Sequence, residues 1–229
     1  MQGFIDTLYK NFVEADRYKY ILKGLGVTAE VTVFAILLGL ALGVVAALFR
    51  LSKCRVGKFY PLRTLAAIYI DVIRGTPTTI QLLIIYYVIF ASTSVPKVIV
   101  AILAFGLNSG AYIAEIVRAG ILAVDSGQME AGRSLGMSHG QTMSKIVMPQ
   151  AFKNILPALC NEFIVLLKET SISGFIALDD LTRGGSIIRG QTYNVISLFA
   201  VAIIYLIMTM GLSKIFKVIE GRMRKSDIR

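Results

Sequence analysis

Nine polar or ionisable residues stand inside or at the edges of long apolar stretches of this chain: Asp71, Arg74, Asn108, Glu115, Arg118, Asn161, Glu162, Lys168 and Glu169. Each costs roughly 3 kcal/mol at membrane depth on insertion scales, so such side chains are expected to face protein or water. Together they offer what a small zwitterion needs: a cation for its carboxylate, an acid for its ammonium and neutral polar groups for its side chain. One reading is therefore a binding site near the membrane midplane, with Asn108, Glu115, Asn161 and Glu162 along a path. Asn108, Tyr112 and Glu115 share one helical face. The competing reading is mutual pairing. Asp71 with Arg74 and Glu115 with Arg118 have the i, i+3 spacing that lets side chains bridge on one helix, and Lys168 and Glu169 then simply reach an interface.

The elements that must position these groups are membrane spans. Apolar residues make up 55% of the 229-residue chain and charged residues 17%, below the quarter usual in soluble domains. Val31–Phe49, Gly75–Pro96, Val98–Ala114 and Gly190–Ser213 carry no charge, and about 20 such residues cross a bilayer. The expected architecture is an all-α membrane protein with five spans, near Val27–Phe49, Thr64–Phe90, Val98–Ala123, Asn154–Thr170 and Gln191–Ser213. Gly39 and Gly43 form a G-x-x-x-G pair that lets another helix approach closely. The second span is interrupted at Arg74-Gly75-Thr76-Pro77, where proline disfavours helix before it. Irregular backbone at membrane depth must be covered by protein or water, which makes the break a candidate path lining. Met1–Lys23 lacks the apolar core of a cleavable signal. Phe4, Ile5, Leu8 and Phe12 have the spacing of a short interfacial helix instead.

The formal charge is +10, but it is concentrated on two flanks. Arg50, Lys53, Arg55, Lys58 and Arg63 fill one acid-free loop, and Lys214, Lys217, Arg222, Arg224, Lys225 and Arg229 fill the C-terminus. That is the pattern of cytoplasmic flanks. It puts the N-terminus outside and the C-terminus inside, and argues against nucleic acid as a partner. The organisation expected is a single transmembrane domain over residues 1–229, with an interfacial segment at 1–26, a cytoplasmic loop at 124–153 and a basic tail at 217–229. Cys54 and Cys160 fall in or beside cytoplasmic segments, where thiols stay reduced. No disulfide or metal site is expected. Ser171–Arg189 reads as an outer connection, with Gly184-Gly185 as its turn.

The loop at 124–153 is polar and helix-patterned. Asp125 with Gln128 and Ser138 with Gln141 are two capping-box starts. Gly136 fits a left-handed helix end, and Pro149 is expected to limit the second helix. The result is helix, glycine turn, helix, in water beside the membrane. His139, the sole histidine, reads there as a cap-turn residue.

Glu130-Ala131-Gly132, Gly136 and Ile146-Val147-Met148-Pro149 resemble the E-A-A, Gly, I-x-L-P signature of ABC-importer permeases. Gly132 stands where Ala is usual and Met148 where Leu is usual. Beyond this loop, R-G-T-P at Arg74–Pro77 with Gln81, the run Asn108–Ile121, Asn161–Glu162 and Leu167–Ile172 resemble the polar amino acid uptake branch of those permeases. The resemblance implies docking of a separate cytoplasmic ATPase dimer onto Glu130, Ala131, Gly132, Arg133, Leu135, Gly136, Met137 and His139. It implies a substrate path through Arg74, Thr76, Gln81, Asn108, Ser109, Tyr112, Glu115, Asn161, Glu162 and Lys168. It also implies a second permease copy or close relative, an extracytoplasmic solute-binding protein, surrounding membrane lipid and a polar amino acid as cargo. The location it implies is the bacterial inner (plasma) membrane, multi-pass. The chain has no G-x-x-x-x-G-K-[ST], so ATP and Mg belong to the partner and no cofactor is expected here. Two rivals are a proton- or ion-coupled secondary transporter using Glu115, Glu162 and Lys168 as a relay, and a membrane scaffold that moves nothing. The first would show inverted repeats, and none is evident; the buried ionisable residues speak against the second.

Overall fold

Apolar patterning resolves into helices throughout. The computed structural model describes residues 2–52, 54–55, 57 and 59–225, with side chains from residue 5 to residue 223 among them. Lys53, Lys58 and Arg229, and the side chains of Phe4, Arg224 and Lys225, lie outside that set. No strand occurs among the described residues.

Helix α1 (Gln2–Leu8) runs through a π turn (Tyr9–Val13) and a 3-10 turn (Glu14–Asp16) into α2 (Tyr18–Leu51). The 34 residues of α2 span about 50 Å, more than a hydrocarbon core of about 30 Å needs. The helix starts well ahead of the expected Val27, and its extra turns carry Tyr18, Tyr20, Lys19 and Lys23, residue types suited to a membrane interface. Helix α3 (Pro61–Arg74) opens on proline, whose missing N–H costs nothing there, and α4 (Thr78–Ile84) continues as a π turn to Ile89. The two are bent by 105° at the expected break. Next come α5 (Lys97–Leu122), α6 (Ser126–Ser134), α7 (His139–Thr142) with a π turn (Met143–Val147), α8 (Met148–Glu169), a 3-10 stretch (Thr170–Ile176), α9 (Leu181–Thr192) and α10 (Ile196–Lys225). Tyr18–Leu51, Lys97–Leu122 and Ile196–Met223 are long and apolar enough to cross a membrane, and the bent α3–α4 pair makes a fourth if counted as one span.

The centre is α2 against α5, where glycines set the separation. A Cβ on Gly43 would lie 2.6 Å from Ile113 Cγ2, and one on Gly106 would lie 2.6 Å from Leu38 Cδ2. The close approach expected of Gly39 and Gly43 is met, with Ser109 and Ile113 as the opposing surface. Gly43→Leu should therefore lower the melting temperature of the purified protein, by an overpacking cost of about 1–3 kcal/mol or more. Gly26→Ala, with nothing within 4 Å of its Cβ, should be neutral or stabilising because alanine favours helix. Equal melting for the two variants would contradict this account of the interface.

Three sequence expectations are corrected here. Pro149 does not end the second helix of the insert. Widening to a π turn, with Met148 N–H donating to Met143 O, absorbs the proline so that α8 continues through it, with Pro157 also inside. Nor is Ser171–Arg189 a plain outer connection. It is mostly helical, and Leu181 and Ile188 are fully buried against Ile21 and Val201. Gly184 and Gly185 are not a turn but the contact face of α9: a Cβ on Gly184 would meet the Tyr20 carbonyl oxygen at 2.6 Å, and one on Gly185 would meet Val201 Cγ2 at 2.5 Å. The last span also shifts, with α10 starting at Ile196 and continuing into the basic tail.

Asp180 caps α9, accepting a hydrogen bond from Arg183 N–H on Oδ1 at 2.9 Å, while Oδ2 is buried without a partner. Burial pushes this carboxyl up to about 6, against about 3.9 in an unfolded chain. Between those values the folded chain holds a proton that the unfolded chain releases. This group's contribution is therefore fully present below about pH 4 and lost as pH rises through about 6. Asp180→Asn keeps a good capping residue without the charge. It should raise the melting temperature at neutral pH, by about 2–4 °C per kcal/mol gained, and flatten the slope between pH 4 and 6. Identical melting profiles across that window would refute it.

Candidate functional site

Breaking a helix at membrane depth leaves carbonyls without donors, and the sequence supplies one side chain that answers them. The buried Gln81, one turn into α4, donates from Nε2 to Ile73 O at 2.7 Å, Thr76 O at 3.1 Å and Thr76 Oγ1 at 2.7 Å. Thr76 Oγ1 in turn donates to Val72 O at 2.9 Å. These acceptors fix the amide orientation, leaving Oε1 to accept from Asn108 Nδ2 on α5 at 3.0 Å. The bend is thus fastened to the central helix through one amide.

The next residue of α5 points to a different helix. Ser109 Oγ donates to Glu162 Oε1 on α8 at 2.8 Å, and both residues are buried. Asn108 and Ser109 therefore tie α4 and α8 to α5 within one turn. On the less buried side of α5, Arg74 lies over the Tyr112 ring at 5.2 Å. Glu115 and Arg118 form a 2.8 Å ion pair one turn on. The i, i+3 bridge foreseen for Glu115–Arg118 is present. The one between Asp71 and Arg74 is not formed, because the Arg74 guanidinium turns to Tyr112.

Of the ten path residues expected from the sequence, Thr76, Gln81 and Asn108 form one cluster, Ser109 and Glu162 a second, and Arg74, Tyr112 and Glu115 an open stripe. Asn161 and Lys168 join none of these. Asn161 is exposed and lines a cleft between α8 and α10 with Pro157 and Ser213, since one residue along a helix is about 100° around it. Lys168 is exposed, beside Glu169.

The insert has its own geometry. Ser138 and Gln141 complete the foreseen capping box, with Ser138 N–H donating to Gln141 Oε1 at 2.8 Å and Gln141 N–H to Ser138 Oγ at 3.2 Å. The Asp125 box is only half formed, since its side chain accepts from Gly127 N–H. Gly136 has φ +83°. Gly136 N–H donates to Arg133 O and Met137 N–H to Gly132 O, both at 3.1 Å, the paired bonds that close a helix through a left-handed residue. Gly132 is buried, and a Cβ there would lie 2.4 Å from Thr142 Cγ2 and 3.1 Å from Ile146 Cδ1. Glu130, Ala131, Arg133, Gly136 and His139 are exposed, and Leu135 is 81% exposed. The side of α6 that packs on α7 is thus glycine, and the outward side presents an acid, a base and one bare leucine. Of the two residues that receive Gly132, Ile146 reads from sequence only as part of the I-x-L-P signature, and Thr142 is not singled out by it. The helical register that puts them beneath it was the available signal.

Residues 39–225 match the family described as binding-protein-dependent transport system inner membrane component. The chain is 38% identical over 211 residues to the arginine transport system permease protein ArtQ of Bacillus subtilis, covering 91% of this chain and 94% of that one. It is 37% identical to the L-cystine transport system permease protein TcyB of the same organism, with 93% and 90% covered. Among solved structures it resembles an amino acid ABC transporter crystallised with histidines, with TM-score 0.83, 42% identity and 92% and 98% covered. The fold is also similar to that of the MetNI methionine ABC transporter in an inward-facing conformation, at TM-score 0.74, 19% identity and 89% and 96% covered.

Proposed function

Since this chain belongs to the family of binding-protein-dependent transport system inner membrane components and is the permease subunit of an ATP-binding-cassette importer for amino acids, we propose that its cargo is a polar amino acid and that the insert at 124–153 is its coupling loop. The subunit then crosses the inner membrane five times, through α2, the bent α3–α4 pair, α5, α8 and α10. The N-terminus is outside, and the insert and basic tail are in the cytoplasm. A cytoplasmic ATPase dimer holding ATP and Mg grips the exposed residues Glu130, Ala131, Arg133, Leu135 and His139. A solute-binding protein delivers cargo from the other side, and a second copy or close relative completes the path.

The observation that carries the coupling proposal is the seat of Gly132 on Thr142 and Ile146. It joins α6 to the segment that runs without interruption into α8, whose Glu162 is bonded to α5. A push on α6 is delivered to α8 and then to the helices that carry the polar groups. The proposed path follows Arg74, Tyr112 and Glu115 on the open side of α5, with the Gln81–Asn108 and Ser109–Glu162 pairs behind it as the joints that move. Arg74 suits a cargo carboxylate and Glu115 an ammonium.

The test is ATPase stimulation and ATP-dependent uptake by the assembled complex in vesicles, across a panel of polar and apolar amino acids. Polar amino acids should stimulate both activities when their binding protein is present. Uptake driven by a proton gradient without ATP would overturn the mechanism, and stimulation by apolar amino acids alone would overturn the cargo class.

A further inference from the structure

Where α2 ends, α3 begins and α5 ends, a cleft of about 470 Å³ is lined by Arg50, Arg63, Arg118, Tyr60 and Ser52. Its three guanidiniums come from three helices. Among the described residues only Arg118 is ion-paired, to Glu115, whose charge Arg50 also feels. Arg50 and Arg63 make no ion pair or hydrogen bond among the described residues, and the intervening loop contains no Asp or Glu. Tyr60 adds a phenol at the rim, with Arg55 over its ring at 5.9 Å. Three guanidiniums against the one carboxylate of Glu115 leave positive charge in excess at this hollow among the described residues, which calls for an anion.

A second hollow, of about 260 Å³, lies between the same three helices and is almost wholly apolar. Leu42, Val45, Phe49, Leu65, Tyr69 and Leu107 line it, and Val45 and Leu65 are about half exposed or more, at 48% and 61%. Phe49 of this groove precedes Arg50 of the cleft, and Leu65 follows Arg63 by two residues. The groove therefore runs up the α2–α3 seam from the cleft's mouth. An anionic head above a hydrocarbon slot is the shape of an anionic glycerophospholipid, and a free phosphate would use only the upper half. We propose that this seam is a binding site for one anionic phospholipid of the cytoplasmic leaflet, its phosphate held by Arg50 and Arg63 and one acyl chain laid along the groove.

The proposal rests on the orientation given above, with the Arg50–Arg63 loop inside. Basic side chains near an anionic bilayer surface contribute about 1 kcal/mol each, a factor of about five in retention. The occupant also has a physical consequence: it fills the wedge between α2 and α3 beside Tyr69, whose hydroxyl donates to Leu107 O on α5 at 2.6 Å.

The test uses the complex purified with its ATPase subunits and incubated with equimolar phosphatidylglycerol and phosphatidylcholine of matched chains, with bound lipid read by native mass spectrometry. Phosphatidylglycerol should be retained preferentially. Arg50→Gln with Arg63→Gln should cut its retention about 25-fold and leave phosphatidylcholine unchanged. If the pair fails to assemble, the exposed Arg63→Gln alone should cut it about fivefold. Leu65→Trp, which fills the groove, should reduce retention of both lipids, and millimolar inorganic phosphate should displace neither. Equal retention of the two lipids by the native complex, or an unchanged preference in the arginine variants, overturns the site. Displacement by inorganic phosphate shows a free-anion site and overturns the lipid. Labelling of exposed Cys54 in a Cys160→Ser background separates the premises: labelling from outside refutes the orientation, and labelling only from inside without lipid preference refutes the lipid site alone.

Discussion

Gly132→Val abolishes ATP-driven uptake while the membrane helices stay folded: that is the expected result if α6 transmits force through its seat. The first added carbon alone would sit 2.4 Å from Thr142 Cγ2 and 2.9 Å from Thr142 Oγ1, inside any van der Waals contact. Thr142 cannot retreat, because it is fully buried and its hydroxyl donates to Ser138 O at 3.1 Å. Helix α6 must lift off α7 instead, at an overpacking cost of about 1–3 kcal/mol confined to the insert. The clash falls on Thr142 and Ile146 of the insert and not on the faces that pack the spans together, so melting of the purified subunit should change little. Uptake should fall to background, with basal ATPase retained but no longer stimulated by cargo.

Gly136 gives the control that separates space from backbone. Nothing lies within 4 Å of its Cβ position, yet φ is +83°. Gly136→Val costs about 1–2 kcal/mol through left-handed strain alone, whereas Gly136→Asn is tolerated because asparagine adopts this conformation. The ordering expected for uptake is wild type, then Gly136→Asn, then Gly136→Val, then Gly132→Val. Wild-type uptake by Gly132→Val would mean that force enters elsewhere.

These same residues show what was legible in the sequence. Gly136, the Ser138–Gln141 box and the Arg74–Pro77 break all depend on local backbone chemistry, which a few neighbouring residue types determine, and all three are present as read. Pro149 misled because a proline rule assumes α-type bonding, and a π turn shifts the bond that the ring would have removed. The segment 171–189 misled for a different reason. Gly184 and Gly185 look like turn residues, and only the approach of Tyr20 and Val201, distant in sequence, turns them into a packing face. Asn161 shows a third limit. Adjacent to Glu162 in sequence, it projects toward α10 instead of α5, a difference that helix geometry contains but a motif does not. The lipid seam lay across three helices and had no sequence signal beyond its arginines.

The second large effect is expected at Gln81, where Gln81→Glu changes almost no volume and reverses the chemistry of the bend. The amide nitrogen now faces three acceptors, Ile73 O, Thr76 O and Thr76 Oγ1, at 2.7–3.1 Å. A carboxylate there has no hydrogen to offer. It confronts those oxygens with charge while still accepting from Asn108 on its other side. Protonation restores one donor but not the two hydrogens of an amide. Thr76 is exposed and Ile73 half-buried, so each lost bond costs the net value of about 0.5–1.5 kcal/mol, and the three together about 1–4 kcal/mol, a sizeable share of the 5–15 kcal/mol that holds a typical domain together. Gln81→Leu removes the same donors without adding charge and should fall between wild type and Gln81→Glu. Gln81→Asn, one methylene shorter, should resemble Gln81→Leu because its amide no longer reaches Ile73 O. The measurement is folded, membrane-inserted protein after detergent extraction, followed by melting of what remains. The bend is the point where a broken helix is attached to the central one, so the rank order wild type, Gln81→Leu, Gln81→Glu is the diagnostic. A Gln81→Glu variant as abundant and as stable as wild type would show that water, not this side chain, satisfies the broken backbone.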